Sequence, residues 1–147
     1  MSIQDQLLDA MKVAMKAKDS LRLTTIRMAR TALKNVEIDT RQELDEAAAI
    51  KVLSTLVKQR REAAEAYRET RPELAEKEEL EVVILQEFLP AQLSEAELEA
   101  LVAKAVAESG AGSMKDMGAV MKLVTPQTTG RADGKMVSNL VRKLLAG

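Results

Sequence analysis

Almost from end to end, the apolar side chains return every three or four residues, and that single period restricts the chain to packed helices. Ile3, Leu7, Leu8, Met11 and Met15 share one helical face, and Ser2 with Asp5 reads as a capping box in front of them. Asp19-Ser20 restarts a helix through Leu23, Ile26, Leu33 and Val36. A third begins near Asp45, carries Ile50, Leu53, Leu56 and Val57, and ends at Arg71-Pro72, because a proline ring excludes the residue before it from helical geometry. Pro72 suits the first position of a fourth helix, where its missing N–H costs nothing, and that helix runs through Leu80, Val83, Ile84 and Leu85 to Phe88. The only β-like run, Val82-Val83-Ile84-Leu85, lies between helix-forming glutamates.

Leu89-Pro90-Ala91-Gln92-Leu93-Ser94 reads as a boundary. Pro90 breaks the helix before it, and Ser94 with Glu97 forms a second capping box for a fifth helix, which carries Leu98, Leu101, Val102 and Val106 and ends at Gly110. Ser113 with Asp116 starts a sixth helix, stopped by Pro126. Asp133 caps a seventh, built on Met136, Val137, Leu140, Val141, Leu144 and Leu145. The expectation is an all-α protein with an N-terminal bundle of about four helices over residues 1–89 and a small three-helix unit over residues 94–147.

Composition bears mainly on chemistry. Neither cysteine nor histidine occurs, which removes disulfides, thiolate nucleophiles, Ser-His dyads and zinc or haem ligation by sulfur or imidazole. No catalytic residue, metal or cofactor is expected. No apolar run approaches the roughly 20 residues of a membrane span, and the start lacks the basic and apolar segments of a secretory signal. A cytoplasmic location with no membrane partner is the expectation.

The net charge of −1 conceals a pattern. Residues 1–61 carry 12 Lys/Arg against 8 Asp/Glu, residues 62–108 carry 4 against 13, and residues 109–147 carry 6 against 2. Basic ends flank an acidic middle. Charges of both signs on solvated faces would produce such blocks; so would two basic surfaces that meet a polyanion while the middle limits indiscriminate adhesion.

Candidate contacts follow from the helical registers. Lys115 and Lys122 are seven residues apart and project to one side of the sixth helix, while Met114, Met117, Met121 and Val124 project to the other. Lys135, Asn139 and Arg142 form a polar stripe on the seventh. Between these helices lies Gly130-Arg131-Ala132-Asp133-Gly134-Lys135, where Gly130 and Gly134 allow tight turns and the N-terminus of the seventh helix offers N–H groups and a positive dipole, a setting that holds phosphate beside Arg131 and Lys135. The alternative is that Asp133 caps its own helix and the glycines only turn the chain. The methionines read as core, and Gly118, which costs the helix about 1 kcal/mol relative to alanine, asks for a close helix approach. In the N-terminal unit Arg27, Arg30, Lys34 and Arg41 align if their helix continues past Ile38, whereas Lys58, Arg60 and Arg61 read as a solvated face partly paired with Glu62 and Glu65. With Tyr67 and Phe88 the only aromatic residues, base stacking is a weak prospect, so nucleic acid would be met at phosphate and sugar.

Together, Lys58-Gln59-Arg60-Arg61-Glu62, the tract Glu79 to Gln92 that continues into Leu93-Ser94, and Met117-Gly118 with Met121 followed by Gly130 to Lys135 resemble the YqeY-like family over essentially the whole chain. The chain is also similar to the C-terminal helical tail of the GatB component of the glutamyl/aspartyl-tRNA amidotransferase. The resemblance implies a multihelical bundle followed by a three-helix unit and a link to tRNA, which the similar tail touches; a similar module is joined to glutaminyl-tRNA synthetase in some bacteria. It also implies a label of carbon–nitrogen ligase with glutamine as amido-N-donor. In the amidotransferase, however, the ATP-using step belongs to a large cradle domain and glutamine hydrolysis to a Ser-Ser-Lys amidase, neither of which fits in 147 helical residues. Two functions are therefore expected as alternatives. One is a tRNA-associated accessory module using Lys115, Lys122, Arg131, Gly134, Lys135 and Arg142, extended by Arg27, Arg30 and Lys34. The other is a protein-interaction module that docks on an amidotransferase or aminoacyl-tRNA synthetase and binds no RNA itself.

Overall fold

The computed structural model describes residues 1–146, in which seven α-helices and one 3₁₀ turn occur and no strand. The helices are α1 (Ile3–Ala17), α2 (Ser20–Thr40), α3 (Glu46–Tyr67), α4 (Pro72–Gln86), α5 (Glu95–Ser109), α6 (Met117–Thr128) and α7 (Gly134–Ala146), with the 3₁₀ turn at Met114–Asp116. The chain is all-α, as the apolar period requires. It divides into a first compact unit, residues 1–90, and a second from residue 91 onward.

Local chemistry sets the helix ends. Both capping boxes form: Asp5 N donates to Ser2 Oγ at 3.1 Å while Ser2 N donates to Asp5 Oδ2 at 3.3 Å, and Ser94 and Glu97 repeat the exchange at 3.1 and 3.4 Å. Asp19 and Asp45 cap α2 and α3 through single side-chain bonds. Each such cap satisfies an amide that would otherwise lack a partner and is worth roughly 1 kcal/mol. Gly110 closes α5 at φ 68°, a left-handed conformation that costs glycine no Cβ clash.

Four boundaries differ from expectation. The fourth helix ends at Gln86 rather than Phe88, where the chain passes into a turn. The third helix ends at Tyr67 rather than Arg71, because Pro72 holds Arg71 at φ −140° and a short turn must intervene. Pro126 does not stop α6, which continues to Thr128. A proline so near the C-terminus forfeits one backbone bond and keeps its ring exposed in solvent, while Thr128 and Thr129 hydroxyls donate to the carbonyls of Val124 and Thr125. Ser113 makes no side-chain cap; the turn at Met114–Asp116 is held instead by Gly112 N donating to Asp116 Oδ2 at 3.0 Å.

In the first unit α4 packs on α3 and α2, and α1 on α2 and α3. Leu7, Ile26, Leu33, Leu53 and Leu85 are fully buried at its centre, each worth about 1.5–3 kcal/mol relative to exposure. Met15, expected inside, is 49% exposed, and Ala14 takes the core position. In the second unit α5, α6 and α7 pack mutually around Leu98, Val102, Val120, Val124, Val137 and Val141.

Candidate nucleic-acid interface

The second unit carries most of the candidate cations, and its frame begins in the segment before α5. Gln92 Nε2 donates to Gly130 O at 2.8 Å, Leu93 N to Arg131 O at 2.8 Å, and Arg131 Nε to Ala91 O at 3.2 Å. These bonds tie residues 91–93 to the loop between α6 and α7. Gly130 is buried with φ 78°, so the turn there needs the left-handed region. Gly134 does not: it is the first residue of α7, lacks a positive φ, and a Cβ on it would meet nothing within 4 Å.

The loop chemistry alters the phosphate-cradle expectation. Asp133 Oδ1 accepts the amide of Lys135 at 3.1 Å, so a carboxylate already occupies the positive end of α7. Arg131 is half-buried with its Nε committed to Ala91. What the unit presents outward is a set of side chains: Lys122 on α6 and Lys135, Arg142 and Lys143 on α7 are all exposed, opposite the buried Val137, Val141 and Leu145. Lys143 was missed from sequence, although its place beside Asn139 on the outer face of α7 is legible in the register. Lys115 is exposed too, but in the 3₁₀ turn that touches α6 and α7, so its seven-residue spacing from Lys122 is not helical throughout.

The methionine stripe is only partly core. Met117 and Met121 pack against the second core cluster, whereas Met114 is 45% exposed. Gly118 is exposed with nothing within 4 Å of an added Cβ, so no close helix approach explains it.

In the first unit Arg27 and Lys34 are exposed on α2, but Arg30 is half-buried with Nη1 3.2 Å from Met11 Sδ, and Arg41 lies just past the helix end at φ 57°. The reading of Arg60 as part of a solvated face is overturned. Arg60 is 7% exposed, and its Nε lies 3.0 Å from Glu81 Oε2 on α4, with further contacts to Leu56 O and Met28 Sδ. Glu81 is equally buried at 6%. Their separation of 21 residues hides the pair from any i,i+4 rule. Glu78, one turn before Glu81, has its carboxyl raised above the ordinary value by burial and by the charge of Glu81, with Arg60 opposing.

The first unit also holds a cavity of about 350 Å³ lined by Asp5, Glu37, Glu43, Asp45 and Glu46 above Ile3 and Ala49. Three of those carboxylates already accept backbone amides, Asp5 from Ser2, Glu37 from Leu44 and Asp45 from Ala48. The acids stitch helix ends and the α2–α3 loop. Among the described residues no group of three carboxylates is placed to hold a metal ion, no buried side-chain polar atom lacks a partner, and no helix is long and apolar enough to cross a membrane.

The sequence is similar to those of known proteins. A protein of Lachancea thermotolerans named altered inheritance of mitochondria protein 41, mitochondrial, is 42% identical over 103 residues, covering 67% of this chain and 54% of that protein. Its namesake in Eremothecium gossypii is 41% identical over 97 residues, covering 65% and 52%. The chain thus spans about half the length of the curated relatives it matches. The model of one family, described as Yqey-like protein, matches residues 4–145, from the first turn of α1 to the last of α7. Over nearly its whole length, the chain belongs to the Yqey-like protein family.

Proposed function

We propose that the chain is a tRNA-associated accessory module, related to tRNA-dependent amidotransferase systems, whose second unit meets the nucleic-acid backbone by charge and shape. One observation carries this reading. Neither α6 nor α7 contains a single Asp or Glu, yet together they expose Lys122, Lys135, Arg142 and Lys143. Helices that carry cations and no acids produce a positive field suited to phosphate contacts, whose affinity is mainly counterion release. Without aromatic platforms on these helices, bases are not read and the contact follows backbone geometry. Lys115 lies close enough in the chain to extend the surface, and Arg27 and Lys34 offer a further contact on the first unit. Arg131 holds the loop in this reading and Gly134 only opens α7, while Lys135 contributes its ammonium rather than its amide. The cytoplasm is the compartment this reading implies, and an amidotransferase or aminoacyl-tRNA synthetase is the enzyme it would serve.

Filter binding of total tRNA to the purified chain at two salt concentrations tests it. Binding should weaken as salt rises, and Lys135→Glu/Arg142→Glu should reduce the salt slope by about 2 phosphates' worth. Absence of any tRNA binding, together with nuclease-resistant capture of a synthetase or amidotransferase, would favour the protein-docking alternative instead.

A further inference from the structure

The helix α4 is apolar on two sides. Ala75, Val82 and Leu85 face the core of the first unit, while Leu80 and Val83 are 47% and 58% exposed. An apolar face on a helix ordinarily asks for a cover, and within the first unit α4 packs on α2 and α3. The run Val82-Val83-Ile84-Leu85, which looked β-like in sequence, is the local sign of this two-sidedness.

Leu80 and Val83 belong to a longer line. Glu73, Glu76, Leu80, Val83 and Glu87 follow one another at alternating steps of three and four residues, the spacing of a coiled-coil seam, and all five are exposed. An apolar centre is thus bracketed by carboxylates within the block that carries 13 Asp/Glu against 4 Lys/Arg over residues 62–108. Lys77 borders the line, and Arg22 of α2 pairs with Glu87 at its far end, leaving Glu73 and Glu76 as the acidic approach.

We propose that this outer line of α4 docks an amphipathic helix of a partner protein, one that sets leucine or isoleucine at heptad spacing between lysines and arginines. The seam spacing suits a helix, and the charges specify its sign. A polyanion is disfavoured, because phosphates would face Glu73 and Glu76. So is a second copy of this chain through the same face, which would set glutamate against glutamate. The proposal is independent of the RNA reading and concerns the opposite charge.

The experiment titrates the full chain with a synthetic helix of leucine and lysine in heptad spacing and, separately, with its scrambled isomer of identical composition. Affinity is read by fluorescence anisotropy and the contact by amide NMR shifts. The amphipathic helix should bind with shifts concentrated in α4, and the scrambled isomer about tenfold more weakly or worse. Leu80→Ser/Val83→Ser should lose about tenfold or more, since two apolar side chains no longer leave water. Glu73→Gln/Glu76→Gln should weaken binding and flatten its salt dependence. All four side chains are exposed, and unchanged melting shows that the variants fold. Lys135→Glu/Arg142→Glu should bind the helix as the parent chain does. The proposal is overturned if the serine variant binds like the parent, if the scrambled isomer binds equally well, or if the shifts lie outside α4.

Discussion

Arg60 and Arg142 both stand in mid-to-late turns of amphipathic helices, but Arg60 is 7% exposed with Nε 3.0 Å from Glu81, whereas Arg142 lies in solvent on a helix without acids. The contrast extends to the units around them. The first unit admits a guanidinium and a carboxylate into its interior and joins α3 to α4 through them. The second keeps an aliphatic core dominated by valine and places the cations of α6 and α7 outside. A buried ion pair gains Coulomb energy at the cost of desolvating both groups, so it is a weak source of net stability and a strong penalty when halved. An exposed cation costs little to hold and stays within reach of an external anion.

The largest effect should come from halving the buried pair. Glu81→Ala leaves Arg60 charged and without its paired carboxylate inside the first unit and should cost about 3–5 kcal/mol in urea unfolding, whereas Arg60→Met/Glu81→Leu should come out near neutral or stabilising. If the double variant is as unstable as the single one, the pair contributes more than its own satisfaction and the contrast fails. Next in size, Lys135→Glu/Arg142→Glu should weaken tRNA binding by about tenfold or more at low salt while leaving melting within about 0.5 kcal/mol, as for surface changes generally.

Smaller gains are expected where glycine has no structural task. Gly118→Ala and Gly134→Ala lie in helices with open space at the Cβ and should each stabilise by about 0.4–1 kcal/mol in thermal unfolding. Gly130→Ala, at φ 78°, should instead destabilise by about 1 kcal/mol or more. The smallest effect concerns Glu78. Its carboxyl is raised by burial and by Glu81, so the folded protein holds that proton more tightly than the unfolded chain, and stability falls as pH rises from the ordinary carboxylate value through the raised one. Glu78→Gln keeps a donor toward Glu81 without the charge. It should raise stability at pH 7 by about 0.2–1 kcal/mol, and that advantage should vanish below the ordinary value of 4.5. A gain that persists in acid would assign the effect to packing.

Local signals were legible wherever a helix end rests on its own neighbours. Ser2 with Asp5, Ser94 with Glu97, Asp45 and Gly110 all cap as their residue types require, because a cap needs only a side chain two or three residues from the amide it satisfies or, at Gly110, a backbone free to turn left-handed. Pro126 was misjudged because a proline in a last turn sacrifices one bond rather than a helix. Among the candidate contacts, exposure on α7 followed from its wheel. The commitment of Arg131 Nε to Ala91, 40 residues away, did not.

By itself, then, the sequence determined an all-helical chain, most of its caps and the cationic α7, which depend on spacings within one or two turns, and the acidic middle, which is a matter of composition. Tertiary structure alone decided that Arg60 is buried on Glu81, that Arg131 ties down residues 91–93, and that Leu80 and Val83 are left outside. The physical reason is that burial and long-range pairing depend on which helix lies against which face, and a helical period constrains that face without naming its neighbour.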